Sequence, residues 1–553
     1  MFVRAKPIGP YRYLYLVESV REGGRTKQRI IKNLGRQELV EARGDLDRLA
    51  RSAARLASRS LILSLLDDGA LPELACRRIG PPLLFERLWQ DTGCATVLAG
   101  LLAERAFEFA VERAVFTAVL HRLCAPGSDR ACDKWHQDYR IAGAAELQLH
   151  HFYRAMAWLG EELPANEQAG RTPFAPRCLK DLIEERLFER RRDLFSELSV
   201  VFMDTTSLAF TGQGGERLGR HGHSKDHRGD LHQMILGVVV DGAGRPICSE
   251  MWPGNVADVT VLLPMVERLR SRFGVGGVCV VADRGMISGP TLTALEDRGL
   301  DYVLGVRERT DQRIAAVLAD ERAMVPIAVP RAKGETLLEA KEVTIEGRRY
   351  IVCRNDAEAA RDAANRQAIL DGLRRQLNKG DKALVGNSAY RRYLKTPERG
   401  HFEVDDARVA ADARLDGLFV LRTNTRLTPL QAMLRYRELL VVEQLFRTAK
   451  ALLRTRPIYH QSDAAIRGHV FCSFLALILR KELEERCTAH GFRPEWGDVV
   501  LDLERLQEIE VAQDGKRFIL RTPTTGGTGK LFQAAGVALP PNIRELATDP
   551  SAD

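Results

Sequence analysis

At 553 residues the chain is long enough for three or more domains, each able to bury a core of its own, and its 45% hydrophobic and 28% charged content is ordinary for a soluble globular protein. The longest apolar run, Val470 to Leu479, is too short to cross a bilayer, and ten scattered cysteines without a CxxC pair or zinc-like Cys/His spacing read as reduced, mostly buried thiols of a cytosolic protein. A formal charge of +8 and a pI near 9.0 suit polyanionic partners.

Met1 to Pro10 lacks a basic start followed by an apolar core, so no secretory signal is expected. From Met1 to Arg36 nine Lys or Arg stand against two Glu, a net +7 of the whole +8. YRYLYLVESV and QRIIKNLG alternate as strands around the turn REGGRTK, which predicts a basic hairpin over 1–40. Its Tyr11, Tyr13 and Tyr15 suit either stacking along DNA or packing on the next domain. Residues 41–165 read as helical and rich in Ala, Leu and Arg. There RAFEFAVERAVFTAVLHRLC predicts an amphipathic helix, and Ser128 or Asp129 caps the next one. Helix, turn and basic helix is the form of a DNA-end-recognition domain, and also of plain helical packing. Asn166 to Arg177 reads as a linker.

The run Val200 to Met203 predicts a strand buried on both faces, and Asp204 follows it directly. A Gly-rich polar turn carries His221, His223, Lys225, Asp226, His227, Arg228, Asp230 and His232, whose alternate spacing is a poor template for zinc. The strands MILGVVVD and PICSEMW follow through short turns, so three neighbouring antiparallel strands are expected. Asn255 and Asp258 read as turn and helix-cap residues that brace the active strands, with Asp258 opening a helix to about Arg272. VCVVADRG repeats the earlier arrangement, a buried strand and then Asp283. A helix near Pro290 to Arg298 and the strand DYVLGVR complete an order that predicts a ribonuclease H-like α/β core, its first part over 195–306. Residues 307–424 are too long for a loop and predict an inserted α+β domain, where Arg348, Arg349, Arg391, Arg392 and Lys395 are candidate phosphate contacts.

The second part of the core, 425–485, carries YRELLVVEQLFRTAKALLRTR, Tyr436 to Arg456, which reads as one two-faced helix. Val442, Leu445, Phe446, Ala449, Leu452 and Leu453 form its apolar stripe. Glu443, Arg447, Lys450 and Arg454 align on another face, with Tyr436 on the same line. A solvated face with a Glu to Arg pair four apart would look the same. Asp204, Asp283 and Glu443 together, however, make a carboxylate set able to hold a pair of divalent ions for phosphoryl transfer. AIRGHVFCSFLALILRKELEER should pack under the sheet. The C-terminal region 486–553 reads as a helix and a strand pair suited to self-association, and its GGTGKL lacks the first glycine and the Ser or Thr of a phosphate loop, so ATP binding is not expected.

The blocks SKDHRGDLHQ, MWPGNVAD, ADRG, VEQLFRTAK and RPIYHQSDAAIRGHV resemble those of the DDE transposases of bacterial insertion sequences. The branch is the one whose last block runs Tyr, Arg, Glu, Lys: Tyr436, Glu443 and Lys450 hold their places, while Leu439 stands where the family has Arg. The resemblance spans about Ser199 to Leu479. It implies that Asp204, Asp283 and Glu443 bind two Mg2+ or Mn2+ ions, that Tyr436, Arg447 and Lys450 contact DNA, and that the inserted domain adds DNA contacts. It also implies a DNA transposase that cleaves its element's ends and transfers the strand to target DNA. The partners implied are double-stranded DNA of terminal repeats and target, with a homodimer on DNA, in the bacterial cytoplasm at the nucleoid. Because the missing Arg helps the family hold the terminal strand, Leu439 leaves open a hairpin intermediate. A metal-dependent nuclease without strand transfer, and an inactive DNA-binding descendant, are the rival readings.

Overall fold

A computed structural model describes residues 1–22, 25–56, 73–195, 198–225, 228–275, 279–306, 312–330, 335–378, 388–398, 401–452, 455, 458–513 and 516–546. The expected hairpin tip at Gly23 and Gly24, Asp226, His227 and Arg454 lie outside them. The chain forms two compact units, Met1–Gly80 with Leu501–Gly529 and Ala538–Asp553, and Pro81–Val500 with Lys530–Val537.

In the first unit the expected hairpin gains a strand. β1 (Phe2–Ile8), β2 (Tyr11–Glu22) and β3 (Arg25–Arg36) form an antiparallel sheet in that order. Ile8 faces Tyr11, so the chain turns in two residues at Gly9, whose φ of +58 a side chain would strain. The register sets Tyr13 between Lys6 and Arg36, and Tyr15 between Arg4 and Asn33, while the Arg36 guanidinium lies 3.4 Å over the Tyr11 ring. A strand, β4 (Glu73–Arg78), interrupts the region expected to be helical.

The second unit is built on a large mixed sheet. β5 (Val200–Ala209), β6 (Gln233–Asp241) and β7 (Pro246–Pro253) are antiparallel neighbours, as their short connections require. β8 (Cys279–Ala282) pairs parallel with β5, and β9 (Asp301–Gly305) parallel with β8, each reached through a helix. Those helices, Leu262–Phe273 and Gly289–Asp297, cover one face, where Met203, Trp252, Met265, Leu269, Val280, Leu295 and Leu304 form a continuous core.

The residues expected to form an inserted domain contribute further strands to this same sheet. β10 (Val325–Pro330), β11 (Glu335–Ile345) and β12 (Arg348–Arg354) follow, with a tight turn at Glu346 (φ 51) and Gly347 (φ 73). A small hairpin, β13 (Leu394–Glu398) with β14 (His401–Val404), packs on helix Asp356–Leu377 around Leu370, Leu373 and Tyr393. β15 (Leu418–Thr423) then pairs with both β12 and β9. Among the described residues the sheet order is β10-β11-β12-β15-β9-β8-β5-β6-β7. Arg348, Arg349, Arg392 and Lys395 pair with Glu296, Glu342, Asp412 and Glu403 respectively.

Helix Asp463–Ala489, capped by Ser462, is buried on every side from Ile466 to Leu479. It crosses helix Leu149–Leu159 so closely that a Cβ on Gly468 would sit 1.9 Å from the Met156 carbonyl oxygen. The predicted amphipathic helix before it runs only from Val111 to Cys124, and its Ala114 to Leu123 are all buried, so it has no wet face. Ser128 caps Asp129–Trp135 as expected. Among the described residues no helix is long and apolar enough to cross a membrane.

Beyond Val500, β16 (Gln507–Gln513) lies between β17 (Lys516–Arg521) and β4, and β18 (Ile543–Leu546) closes the edge. The terminal strands thus pair within their own chain. The Gly527 N–H donates to Asp502 Oδ2 at 2.6 Å, so a carboxylate already holds the glycine loop that mimics a phosphate site.

Candidate active site

Asp204 and Asp283 meet because β5 and β8 run parallel. Met203 is opposite Ala282, so the next residue of each chain segment, Asp204 and Asp283, emerges at the same level of adjacent strands, about 4.8 Å apart in backbone. Apolar runs that bury on both faces therefore deliver two carboxylates to one point. Asp283 leads into the turn Arg284–Met286, where a Cβ on Gly285 would lie 3.9 Å from Asp283 Oδ2 and 3.7 Å from Asp258 Oδ2.

Glu443 arrives on a helix, but not the single long one that its sequence suggested. Helix Pro429–Arg437 stops, and Leu440–Arg447 restarts after a joint in which Leu439 and Val442 donate to carbonyls three residues back. Such tight bonds turn the axis. Leu439, in the family's Arg place, is 6% exposed and packs inward at this joint. Beyond Arg447 the chain widens into a π turn, Thr448–Leu452, which moves Lys450 off a regular helical line. Thr455 satisfies the Ala449 carbonyl through its N–H (3.2 Å) and its Oγ1 (2.8 Å). The first helix packs on β8 and β9, the second on β5 and β6, and Glu443 and Arg447 both stay exposed.

Tyr436 ends the first helix and crosses β9 to donate from its hydroxyl to Asp283 Oδ1 at 3.1 Å. It passes over Gly305, where a Cβ would stand 2.3 Å from the Tyr436 oxygen. Only glycine leaves that path open. The residue expected on DNA thus orients an active-site carboxylate.

Electrostatics tie the set together. Burial pushes Asp204 up from an ordinary 3.8 to about 6, Lys225 and the Thr205 N–H (2.7 Å) pull it down, and the charges of Asp283 and Glu443 push it up again. The three carboxylates therefore repel one another in a partly dry site, an arrangement a hard divalent cation would neutralise through oxygen ligands. Asp258, read from sequence as a cap, is not one: it sits in a short turn before helix Leu262–Phe273 and accepts from Thr205 Oγ1 at 2.8 Å. Lys225, named only as part of a polar loop, reaches the same place. Its sequence signal was an acid after the third strand and a lysine in SKDHRGD, neither distinguishable from a turn residue without the fold.

Among the described residues the group whose ligand atoms all lie within 4.8 Å of one another is Asp129, His460 and His469, while the oxygens of Asp204, Asp283 and Glu443 are spread more widely. His469 has no lone pair to give. The Arg122 guanidinium, which only donates, lies 2.9 Å from Nδ1, and the Thr455 carbonyl, which only accepts, lies 3.1 Å from Nε2. Burial and Arg122 also hold this imidazole well below the usual range, so the group is a hydrogen-bonded brace behind the Glu443 segment. Of the loop histidines, His221 and His232 lie ring beside ring at 4.1 Å, tilted by 36°.

The family model described as Transposase DDE domain matches residues 195–479, and that of the IS1634 family transposase N-terminal domain matches residues 3–64. No curated protein matches the sequence. A solved cryo-EM structure, the piggyBac transposase synaptic complex with hairpin DNA, is similar over 77% of this chain and 79% of that one, at 11% identity and a TM-score of 0.35. With the DDE model spanning half of the sequence, and an insertion-sequence N-terminal model ahead of it, the chain belongs to the DDE transposases of bacterial insertion sequences.

Proposed function

We propose that this chain cleaves the ends of its own insertion sequence and joins the freed 3'-hydroxyl to target DNA, on a ribonuclease H-like core. The observation that carries the reading is the convergence of Asp204, Asp283 and Glu443: burial pushes Asp204 up to about 6, and the charges of Asp283 and Glu443 add to that rise. Two divalent ions, Mg2+ or Mn2+, would activate the attacking oxygen and stabilise the leaving one when bound there. Asp204 and Asp283 are the rigid ligands, because strand pairing fixes their spacing. Glu443, on a helix jointed at Leu439, is the ligand whose approach can adjust. Tyr436 fixes the rotamer of Asp283 by its hydrogen bond. Arg447, exposed one turn beyond Glu443, is placed to meet a phosphate, and Lys450 follows it in the π turn as a second candidate DNA contact. One phosphodiester replaces another, so no high-energy cofactor is required.

Duplex DNA is the partner that the charge suits best. The N-terminal sheet sets Tyr13 and Tyr15 among Lys6, Arg36 and Arg4, a face suited to phosphates with aromatic packing. Two element ends cut in register would require two copies of the chain on DNA.

The test is cleavage and strand transfer on a labelled element end with Mg2+, beside Asp204→Asn, Asp283→Asn and Glu443→Gln. Nicking and joining by wild type, with both lost in each variant and DNA binding kept, is the expected result. Cutting without joining would instead mark a nuclease, and activity surviving all three substitutions would remove the site assignment.

A further inference from the structure

The carboxylate site contains a cation of its own. Lys225 Nζ donates to the Thr205 carbonyl oxygen at 2.6 Å and to Thr205 Oγ1 at 2.8 Å. It lies 3.3 Å from Asp258 Oδ2 and 3.7 Å from Asp204 Oδ1. Thr205 Oγ1 in turn donates to Asp258 Oδ1 at 2.8 Å, so one hydroxyl accepts from the ammonium and locks the carboxylate that faces it. Asp258 Oδ2 is thereby turned toward the Asp283 side of the site, since both carboxylates lie within 4 Å of the Cβ position of Gly285. Two carboxylates, Asp204 and Asp258, thus flank a single ammonium beside Asp283.

An ammonium held by carboxylate and carbonyl oxygens has the surroundings of a hard metal ion. We propose that Asp258 is a fourth carboxylate of the metal site, and that Lys225 holds a cation position in the metal-free chain and competes with the incoming ion. This rests on the reading of Asp204, Asp283 and Glu443 as metal ligands. Lys225 supplies one charge where a divalent ion supplies two, so it keeps the site assembled without saturating it. Its side chain is 32% exposed and comes from a loop, which gives it room to swing away as the ion enters. Asp258 then loses its counter-ion at the moment when it gains a ligand role.

The experiment is a Mn2+ titration of the full-length chain without DNA, followed by electron paramagnetic resonance of free Mn2+. Lys225→Met and Lys225→Gln remove the charge, the second while keeping a hydrogen-bond donor, and Asp258→Asn removes the fourth carboxylate. Removing the competing charge should tighten Mn2+ binding on the order of tenfold in both Lys225 variants, and Asp258→Asn should weaken it by a similar factor. Lys225→Arg, which retains the charge, should stay near wild type. Unchanged or weaker binding in both folded Lys225 variants, or an unchanged affinity in Asp258→Asn, overturns the proposal. Asp204→Asn separates the two levels of the argument. If it binds Mn2+ like wild type, the metal reading of the site itself fails; if it loses Mn2+ while the Lys225 variants do not change, only the competition fails.

Discussion

Asp204→Asn should make the metal-free protein more stable while abolishing its chemistry. The carboxylate is pushed from an ordinary 3.8 up to about 6, first by burial and then by Asp283 and Glu443 against the pull of Lys225. A group whose folded value is raised favours folding fully below its unfolded value and loses that contribution as pH rises through its folded value. Here the loss runs from about pH 4 to just above pH 6. The interval of about 2 pH units, at about 1.4 kcal/mol each, amounts to about 3 kcal/mol of destabilisation at pH 7.5. Asparagine removes the charge but keeps the shape, so the variant should gain up to that amount at pH 7.5 in EDTA. The gain should vanish near pH 4, where wild type is protonated as well. Urea unfolding followed by tryptophan fluorescence reads the relevant unit, since Trp89, Trp135, Trp158, Trp252 and Trp496 all lie within it. Excess Mg2+ should reverse the order by stabilising wild type alone. A variant less stable than wild type at pH 7.5 in EDTA, or a difference that ignores pH, would refute the electrostatic reasoning.

Other substitutions test the parts around the triad. Tyr436→Phe deletes the bond to Asp283, and Gly305→Ala blocks its path with a Cβ 2.3 Å from the hydroxyl. Each should cost about 1.5–3 kcal/mol in cleavage rate, and the double variant should cost no more than the worse single one in a double-mutant cycle. Arg268→Met leaves Asp181, Glu184 and Glu250 buried without the guanidinium that now reaches all three, so urea denaturation should show a loss of about 3–5 kcal/mol. Replacing Arg4 and Lys6 with Ala should weaken DNA binding evenly across sequences and reduce the slope of log affinity against log salt by about one per cation, as measured by fluorescence anisotropy.

The sequence carried the parts of the site that are set by local pattern. Continuous apolar runs announced the strands that carry Asp204 and precede Asp283, although β5 runs on past Asp204 to Ala209, and short turns announced the antiparallel order of β5, β6 and β7. Glu443 was legible from helical spacing, but the joint at Leu439 and the π turn at Thr448–Leu452 were not, because helical propensity runs through both. Both depend on tertiary contacts such as Thr455 on the Ala449 carbonyl. Asp258 braces β5 as expected, but through Thr205 and not as a helix cap. An Asp beside a turn looks like a cap until the neighbouring strand brings Thr205 within 2.8 Å. The strands of 325–354 join the main sheet because β15 returns beside β9, a pairing between segments over a hundred residues apart that no local pattern encodes. Val111–Cys124 read as amphipathic in sequence, yet even His121 and Arg122 are buried, and Arg122 is engaged by His469.

The central claim is that Asp204, Asp283 and Glu443 bind the catalytic ions, and anomalous diffraction from Mn2+-soaked crystals of the chain with a cleaved element end tests it most directly. The account predicts two anomalous peaks at the carboxylates of Asp204, Asp283 and Glu443. No peak at these carboxylates, or a peak at Asp129, His460 and His469 instead, would contradict it.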